Sequence, residues 1–168
     1  GAGAGLRYEA IAGLKWGSVD FEKDEILICA AYKRGMKRFE QFPKNGEQSR
    51  TVILPDVGNY LIGLRAGQGD HDLVCRGPKG DWLRYEHFNV HLKKLCVEAG
   101  VKVVTPHELR HSATEFIYSA GGTDEDVSQF LTQRNQSSVK PYKHRTSTRL
   151  HDIAGRVTLL PKLHVLNS

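Results

Sequence analysis

Apolar positions recur along this chain at two spacings, and they sort it into helices and short strands. Leu6, Ala10 and Leu14 stand four apart and predict a helix over residues 6–16. The GAGAG stretch ahead of it is poor helix material and reads as a tag remnant or a cut inside a domain. β-rich residues predict one strand over 26–32 and another over 49–54, with Lys44-Asn45-Gly46 between them as a turn signal. Asp56 is placed to cap a helix bearing Val57, Leu61 and Leu64 and ending at Gly67, and 73–75 is a short apolar piece. Tyr85, Phe88, Leu92, Leu95 and Ala99 then mark a long amphipathic helix that stops at Gly100. One helix is expected from Pro106 to about Ala120, another from Thr123 to about Leu131, and a weaker one around 148–154. Tyr85 and Tyr118 fall at amphipathic positions and are expected in the core. The pattern as a whole is an α+β fold, mainly helical with a small antiparallel sheet, in one domain without repeats.

Composition narrows this picture. A chain of 168 residues, 39% hydrophobic and 26% charged, suits one globular domain with its own core. It contains no apolar run near the ~20 residues that span a bilayer, so no membrane role is expected. Cys29, Cys75 and Cys96 are odd in number and widely spaced. They argue against a disulfide framework or a cysteine zinc site, and for a reducing, cytoplasmic setting.

Charge changes the picture more. The formal charge is +5, and residues 133–168 hold seven Lys+Arg against one acid, Asp152. A second stretch, 32–50, carries six cations and two acids. Two basic patches on a near-neutral body fit a polyanion partner, and they fit a solubilising surface equally well.

The most informative segment is Thr105-Pro106-His107-Glu108-Leu109-Arg110-His111. HELRH matches the HExxH zinc-protease pattern, which needs the glutamate free to act on metal-bound water. Here Thr105 suits the N-cap, Pro106 the first helical position, and Glu108 the third, which completes a Thr-x-x-Glu capping box and occupies the glutamate. Downstream, Glu115 and His144 offer no zincin spacing. His107 and Arg110, three apart, share a face near a helix N-terminus and could instead cradle a phosphate.

This segment belongs to an ordered array. Gly5-Leu6-Arg7, Leu14-Lys15-Trp16, Lys44-Asn45-Gly46 leading to Ser49-Arg50-Thr51-Val52, TPHELRH, and Pro141-Tyr142-Lys143-His144 together resemble the tyrosine recombinase (phage integrase) family over nearly the whole chain. The resemblance implies a mainly helical catalytic domain that breaks and rejoins DNA through a 3′-phosphotyrosyl link, with no metal or nucleotide cofactor. It implies that Arg7 and Arg110 grip the scissile phosphate, that Lys44 protonates the departing 5′ oxygen, and that His107 bonds the phosphate and helps take the nucleophile's proton. Tyr142 would be the nucleophile. His111 and Trp16 are expected to be structural.

Two positions depart from the family pattern. Where the family has LGH nine residues before the tyrosine, this chain has Leu131-Thr132-Gln133, so Gln133 replaces a histidine and can donate a hydrogen bond without carrying charge. Three residues after the first arginine, where an acid is usual, stands Ala10, with Glu9 one position earlier. These changes leave open a family member that binds DNA without cleaving it, and the same residue set would serve a type IB topoisomerase. The implied partners are double-stranded DNA attachment sites and three further copies of the chain, in a homo-tetramer on DNA. The apolar residues Val157, Leu159, Leu160 and Leu163 either pack on a neighbouring protomer, as an exchanged tail, or fold back on their own domain. The first catalytic arginine lies so near the start that residues 1–168 are expected to be a fragment, the catalytic domain without the family's N-terminal core-binding domain.

Overall fold

The computed structural model describes residues 2–33, 38–41, 49–132 and 148–159, with the backbone alone at 32, 33 and 38–41. In chain order the elements are α1 (Tyr8–Gly13), β1 (Val19–Asp20), β2 (Glu25–Ile28), β3 (Ala30–Lys33), β4 (Arg38–Gln41), β5 (Ser49–Val52), α2 (Pro55–Arg65), α3 (Tyr85–Glu98), α4 (Pro106–Ser119), α5 (Asp124–Phe130) and α6 (Thr148–Arg156). The fold is the expected mainly helical α+β arrangement. Strands β1, β2 and β5 form an antiparallel sheet in the order β1-β2-β5, and β3 and β4 pair as a separate antiparallel ribbon.

Two apolar clusters share one strand as their partition. The run after β5 alternates sides, as extended chain must. Val52 and Leu54 enter a cluster with Ala113, Ile117, Phe130, Leu150 and Ile153 from α4, α5 and α6. Ile53, between them, enters a second cluster with Ala4, Leu6, Ile11, Leu14 and Ile26. The fully buried Thr51 hydroxyl donates to the Phe130 carbonyl at 2.7 Å, which fixes α5 against β5.

Several elements differ from the sequence reading. The first helix covers Tyr8–Gly13 rather than 6–16. Beyond it, Trp16 N–H donates to the Asp72 carbonyl and Val74 N–H to the Leu14 carbonyl, so a strand-like bridge replaces further helix. Leu6 and Leu14 are nonetheless buried, as the four-residue spacing predicted. The strand expected over 26–32 is two strands, broken at Cys29 so that β2 pairs with β5 and β3 with β4. Asp56 does not cap α2: Leu54 is the N-cap and Pro55 opens the helix. The Asp56 carboxylate instead accepts the Leu159 N–H at 2.6 Å, tying the chain after α6 to α2. On α3 the apolar stripe is rotated, for Leu95 is 48% exposed while Cys96 is buried. Tyr118 is not core either; it is exposed and its hydroxyl donates to Asp124 at 2.6 Å. Tyr85 meets Tyr8 edge-on at 5.0 Å, where Tyr8 also stacks on Phe88 and donates to the Leu83 carbonyl at 2.7 Å. Through Tyr8, α1 therefore holds α3.

A capping box starts α4 as its sequence predicts, and a second one, Thr123 with Asp126, starts α5. In the second, Asp126 is buried and also accepts from Arg149 Nε at 3.1 Å, so α5 grips α6. Burial opposes the Asp126 charge, but the hydrogen bonds from Thr123 and the Arg149 guanidinium outweigh it and hold the carboxyl below its ordinary range. Its stabilisation is thus present above the unfolded carboxylate range and is lost as pH falls through the lowered value.

The GAGAG stretch is not a detached tag. Residues 2–4 form a 3-10 turn, Ala4 is buried, and the Gly3 carbonyl accepts the Leu54 N–H at 2.9 Å. Gly5 has φ +57, and a Cβ there would lie 2.9 Å from the Phe130 carbonyl oxygen. Gly5→Ala is therefore expected to destabilise the fold by about 2–4 kcal/mol, from left-handed strain and overpacking together. Gly67, at φ +73 with open space around it, carries the strain alone, so Gly67→Ala should cost about 1–2 kcal/mol. Urea unfolding of the two variants compares them directly; equal losses would contradict the packing argument.

Candidate active site

The site is built from the ends of elements that lie far apart in sequence. Helix α4 opens on its capping box: Thr105 Oγ1 accepts the Glu108 N–H at 3.2 Å, and Glu108 Oε2 accepts the Thr105 N–H at 2.8 Å. Those bonds from Thr105 hold the Glu108 carboxyl below its ordinary range. The glutamate of HELRH is thus committed to the helix end, and the protease reading loses its base. Among the described residues no group of three or more His, Cys, Asp or Glu side chains is placed to hold a metal ion.

Arg110 follows in α4 and is only 5% exposed. Its Nη1 donates to the carbonyl of Gly5, 105 residues away, and its Nη2 to the carbonyl of Leu131 at 2.7 Å. One N–H on each terminal nitrogen is so engaged, and a guanidinium carries three further donors. Arg7 is the N-cap of α1, its carbonyl accepting the Ala10 and Ile11 N–H groups at 3.0 Å while its side chain is exposed. Both arginines line one open cleft of about 310 Å³, together with Glu9, Ala10, Ile28 and Thr132. Burial, and then the nearby Arg7 charge, pull the Arg110 pKa down to about 10. It stays protonated at neutral pH, and an anion in the cleft would relieve both effects.

His107 takes a different position. It lies exposed in the first turn of α4, and its ring is paired with that of His111, Nε2 to Nε2 at 2.9 Å. The residues lining the cleft do not include it. His111, expected to be structural, is exposed and is the partner in that pair, while Trp16 is 3% exposed and is structural as expected. Lys44, Gln133 and Tyr142 lie outside the described residues. Of the six candidate residues, the structure therefore brings Arg7 and Arg110 together. Ala10, which stands where the family usually has an acid, and its neighbour Glu9 line the same cleft.

Sequence reasoning missed Gly5 and Leu131 as the residues that hold Arg110, since a backbone carbonyl leaves no compositional mark. It also missed Thr132, although there a signal existed. Thr132 has φ +51, an uncommon conformation for a β-branched residue, at the position where the resembled family has glycine. Its N–H donates to the Gln129 carbonyl at 2.9 Å, closing α5 before the chain reaches Gln133.

Comparison with known proteins bears on the family and the fold. The profile of the Phage integrase family matches residues 2–149. Tyrosine recombinase XerC of Xylella fastidiosa (strain 9a5c) is 28% identical over 148 residues, covering 84% of this chain and 45% of the relative. Tyrosine recombinase XerA of Thermococcus kodakarensis is 29% identical over 167 residues, covering 96% of this chain and 54% of the relative. The chain thus spans about half the length of the curated relatives it matches. Among solved structures, the Tn1549 transposon integrase in complex with a circular intermediate DNA superposes with a TM-score of 0.65 at 16% identity, covering 79% of this chain and 48% of that one. The XerA recombinase crystal structure gives 0.63 at 20% identity, covering 90% and 53%. At those identities the structures speak to the fold.

The strained Thr132 yields a prediction about stability. Thr132→Gly should raise it by about 0.5–1 kcal/mol, because relief of the left-handed strain exceeds glycine's extra chain entropy. A higher urea midpoint at unchanged slope is the expected result; a lower midpoint would show that the threonine side chain is held by contacts worth more than the strain.

Proposed function

The chain belongs to the phage integrase family, and on that premise we propose that it is the catalytic domain of a site-specific tyrosine recombinase. The observation that carries this reading is the convergence of Arg7 and Arg110 on one cleft, with Arg110 buried and anchored. Two guanidinium groups lining one open space suit a tetrahedral oxyanion, and their planar forks match phosphate oxygens as lysine could not.

In this reading a DNA phosphodiester enters the cleft with its non-bridging oxygens on Arg7 and Arg110. The Tyr142 hydroxyl attacks phosphorus, loses its proton with help from His107, and becomes the 3′-phosphotyrosyl ester. The bond to the 5′ oxygen breaks, and Lys44 donates the proton that the leaving oxygen takes up. The arginines stabilise the negative charge that concentrates on the phosphorane-like transition state. Gln133 donates a hydrogen bond to a phosphate oxygen where the family pattern has histidine. Reversal with a different 5′ hydroxyl rejoins the strands, and the ester conserves the energy for doing so.

His107 must turn from His111 to reach the phosphate, a side-chain rotation on an exposed helix face. The partners in this proposal are double-stranded DNA sites, gripped by the basic stretches, and three further copies of the chain. The setting is the cytoplasm, at the nucleoid. Val157 is buried within its own chain and Leu159 bonds to Asp56. Any exchange between copies therefore falls to the residues after it, Leu160 and Leu163 among them. Within a full-length recombinase this chain would supply the catalytic half.

A nicked suicide duplex, built from the ends of the element that carries the gene, tests the reading in EDTA. The wild-type protein should form a denaturant-resistant protein–DNA adduct, and Tyr142→Phe should form none. Arg7→Ala should slow adduct formation by at least about a hundredfold, and Gln133→His should leave it unchanged or faster. An adduct that persists in Tyr142→Phe would contradict the assignment of the nucleophile. DNA binding by wild type without any adduct would contradict the enzyme reading in favour of a DNA-binding member.

A further inference from the structure

The HELRH segment retains one feature that neither the capping box nor the cleft uses. His107 and His111 lie one turn apart on α4, both exposed, with their rings perpendicular at a centroid distance of 4.4 Å and their Nε2 atoms 2.9 Å apart. We propose that these two histidines form a chelating site for a divalent transition-metal ion, and that an occupied site withholds His107 from DNA phosphate.

The geometry needs little adjustment. Zinc binds imidazole nitrogen at about 2.0–2.1 Å, so two tetrahedral ligands stand roughly 3.4 Å apart. Opening the pair by about half an ångström admits the ion between the two Nε2 atoms. In the free pair one Nε2 carries the hydrogen and the other accepts it. On metal binding that hydrogen moves to Nδ1 of its own ring, and both Nε2 lone pairs become ligands. Water completes the shell, and the site stays open to solvent. The neighbouring Glu108 is ionised in its capping box and supplies negative charge beside the site without leaving Thr105.

The chain contains an internal comparison. His87 and His91 have the same four-residue spacing on α3 and are also exposed, but no ring contact joins them among the described residues. Spacing alone would make the two pairs equal; pre-organisation singles out His107 and His111. Metal binding stands by itself, whereas the inhibition rests on the assignment of His107 to the phosphate.

Calorimetric titration of the untagged protein with zinc chloride tests the site, followed by the adduct assay with zinc in place of EDTA. Wild type should bind zinc with a micromolar Kd, weakened at least tenfold in His111→Asn and unchanged in His91→Asn. Zinc at saturation should slow adduct formation at least tenfold in wild type and leave His111→Asn unaffected. Equal zinc affinity in wild type and His111→Asn would overturn the site, as would an equal loss in His91→Asn. Full-rate adduct formation by zinc-saturated wild type would overturn the inhibition. If metal-free wild type formed no adduct, the recombinase reading and the inhibition would fall together, while the calorimetry would still decide the site.

Discussion

A single buried guanidinium holds this structure to its site. Burying a cation is costly unless its donors are met, and Arg110 gives two of its own to the carbonyls of Gly5 and Leu131. Those two carbonyls belong to the segments that deliver the rest of the cleft. Two residues after Gly5 stands Arg7, and directly after Leu131 come Thr132 and Gln133. The hydrogen bonds that make Arg110 tolerable in the interior therefore also fix the segments that carry Arg7 and Thr132 to the cleft. Thr51 reinforces the arrangement from beneath, through its bond to the Phe130 carbonyl next to Leu131.

The segment 133–147, which contains Gln133 and Tyr142, is secured at both of its ends. Before it, Leu131 is tied to Arg110 and Thr132 closes α5. After it, α6 is tied by Arg149 to Asp126, and by His151 Nε2 to the buried Glu25 at 3.2 Å. Glu25 in turn faces Arg50 of β5 at 3.4 Å. Further on, Leu159 is fixed to Asp56 of α2. Both flanks of that segment thus rest on one helical core, packed around Val52, Ile117, Phe130 and Leu150.

How much of this was legible in the sequence depends on the kind of signal each residue leaves. Capping boxes are local and chemical, so Thr105 with Glu108 and Thr123 with Asp126 were either read or readable directly. The helices from α3 to α6 followed from their apolar spacing to within a residue or two. Burial of Leu6 and Leu14 was also legible, but the helix between them was too long in prediction, because the bridge to residues 72–74 is non-local. GAGAG looked like a remnant since small residues carry no apolar pattern; its role is close approach, which only the packed structure displays. Asp56 looked like a cap and is instead the anchor for a residue more than a hundred positions later. The convergence of Arg7 and Arg110 entered through resemblance to a family, and composition alone could not have supplied it. What the residues themselves could not reveal was the means, two backbone carbonyls.

The central claim is that Arg110 is a fold-forming residue through its two carbonyl bonds, and its unfolding free energy tests that most directly. Urea denaturation should be compared for Arg110→Lys and Arg7→Lys, which keep the charge and remove the fork. The account predicts a loss of about 2–4 kcal/mol for Arg110→Lys, since a lysine cannot meet both carbonyls in place and at least one is left buried without a donor. Arg7→Lys, an exposed change, should stay within about 0.5 kcal/mol of wild type. Wild-type stability in Arg110→Lys would contradict the account, because the two carbonyl bonds would then be incidental to the fold.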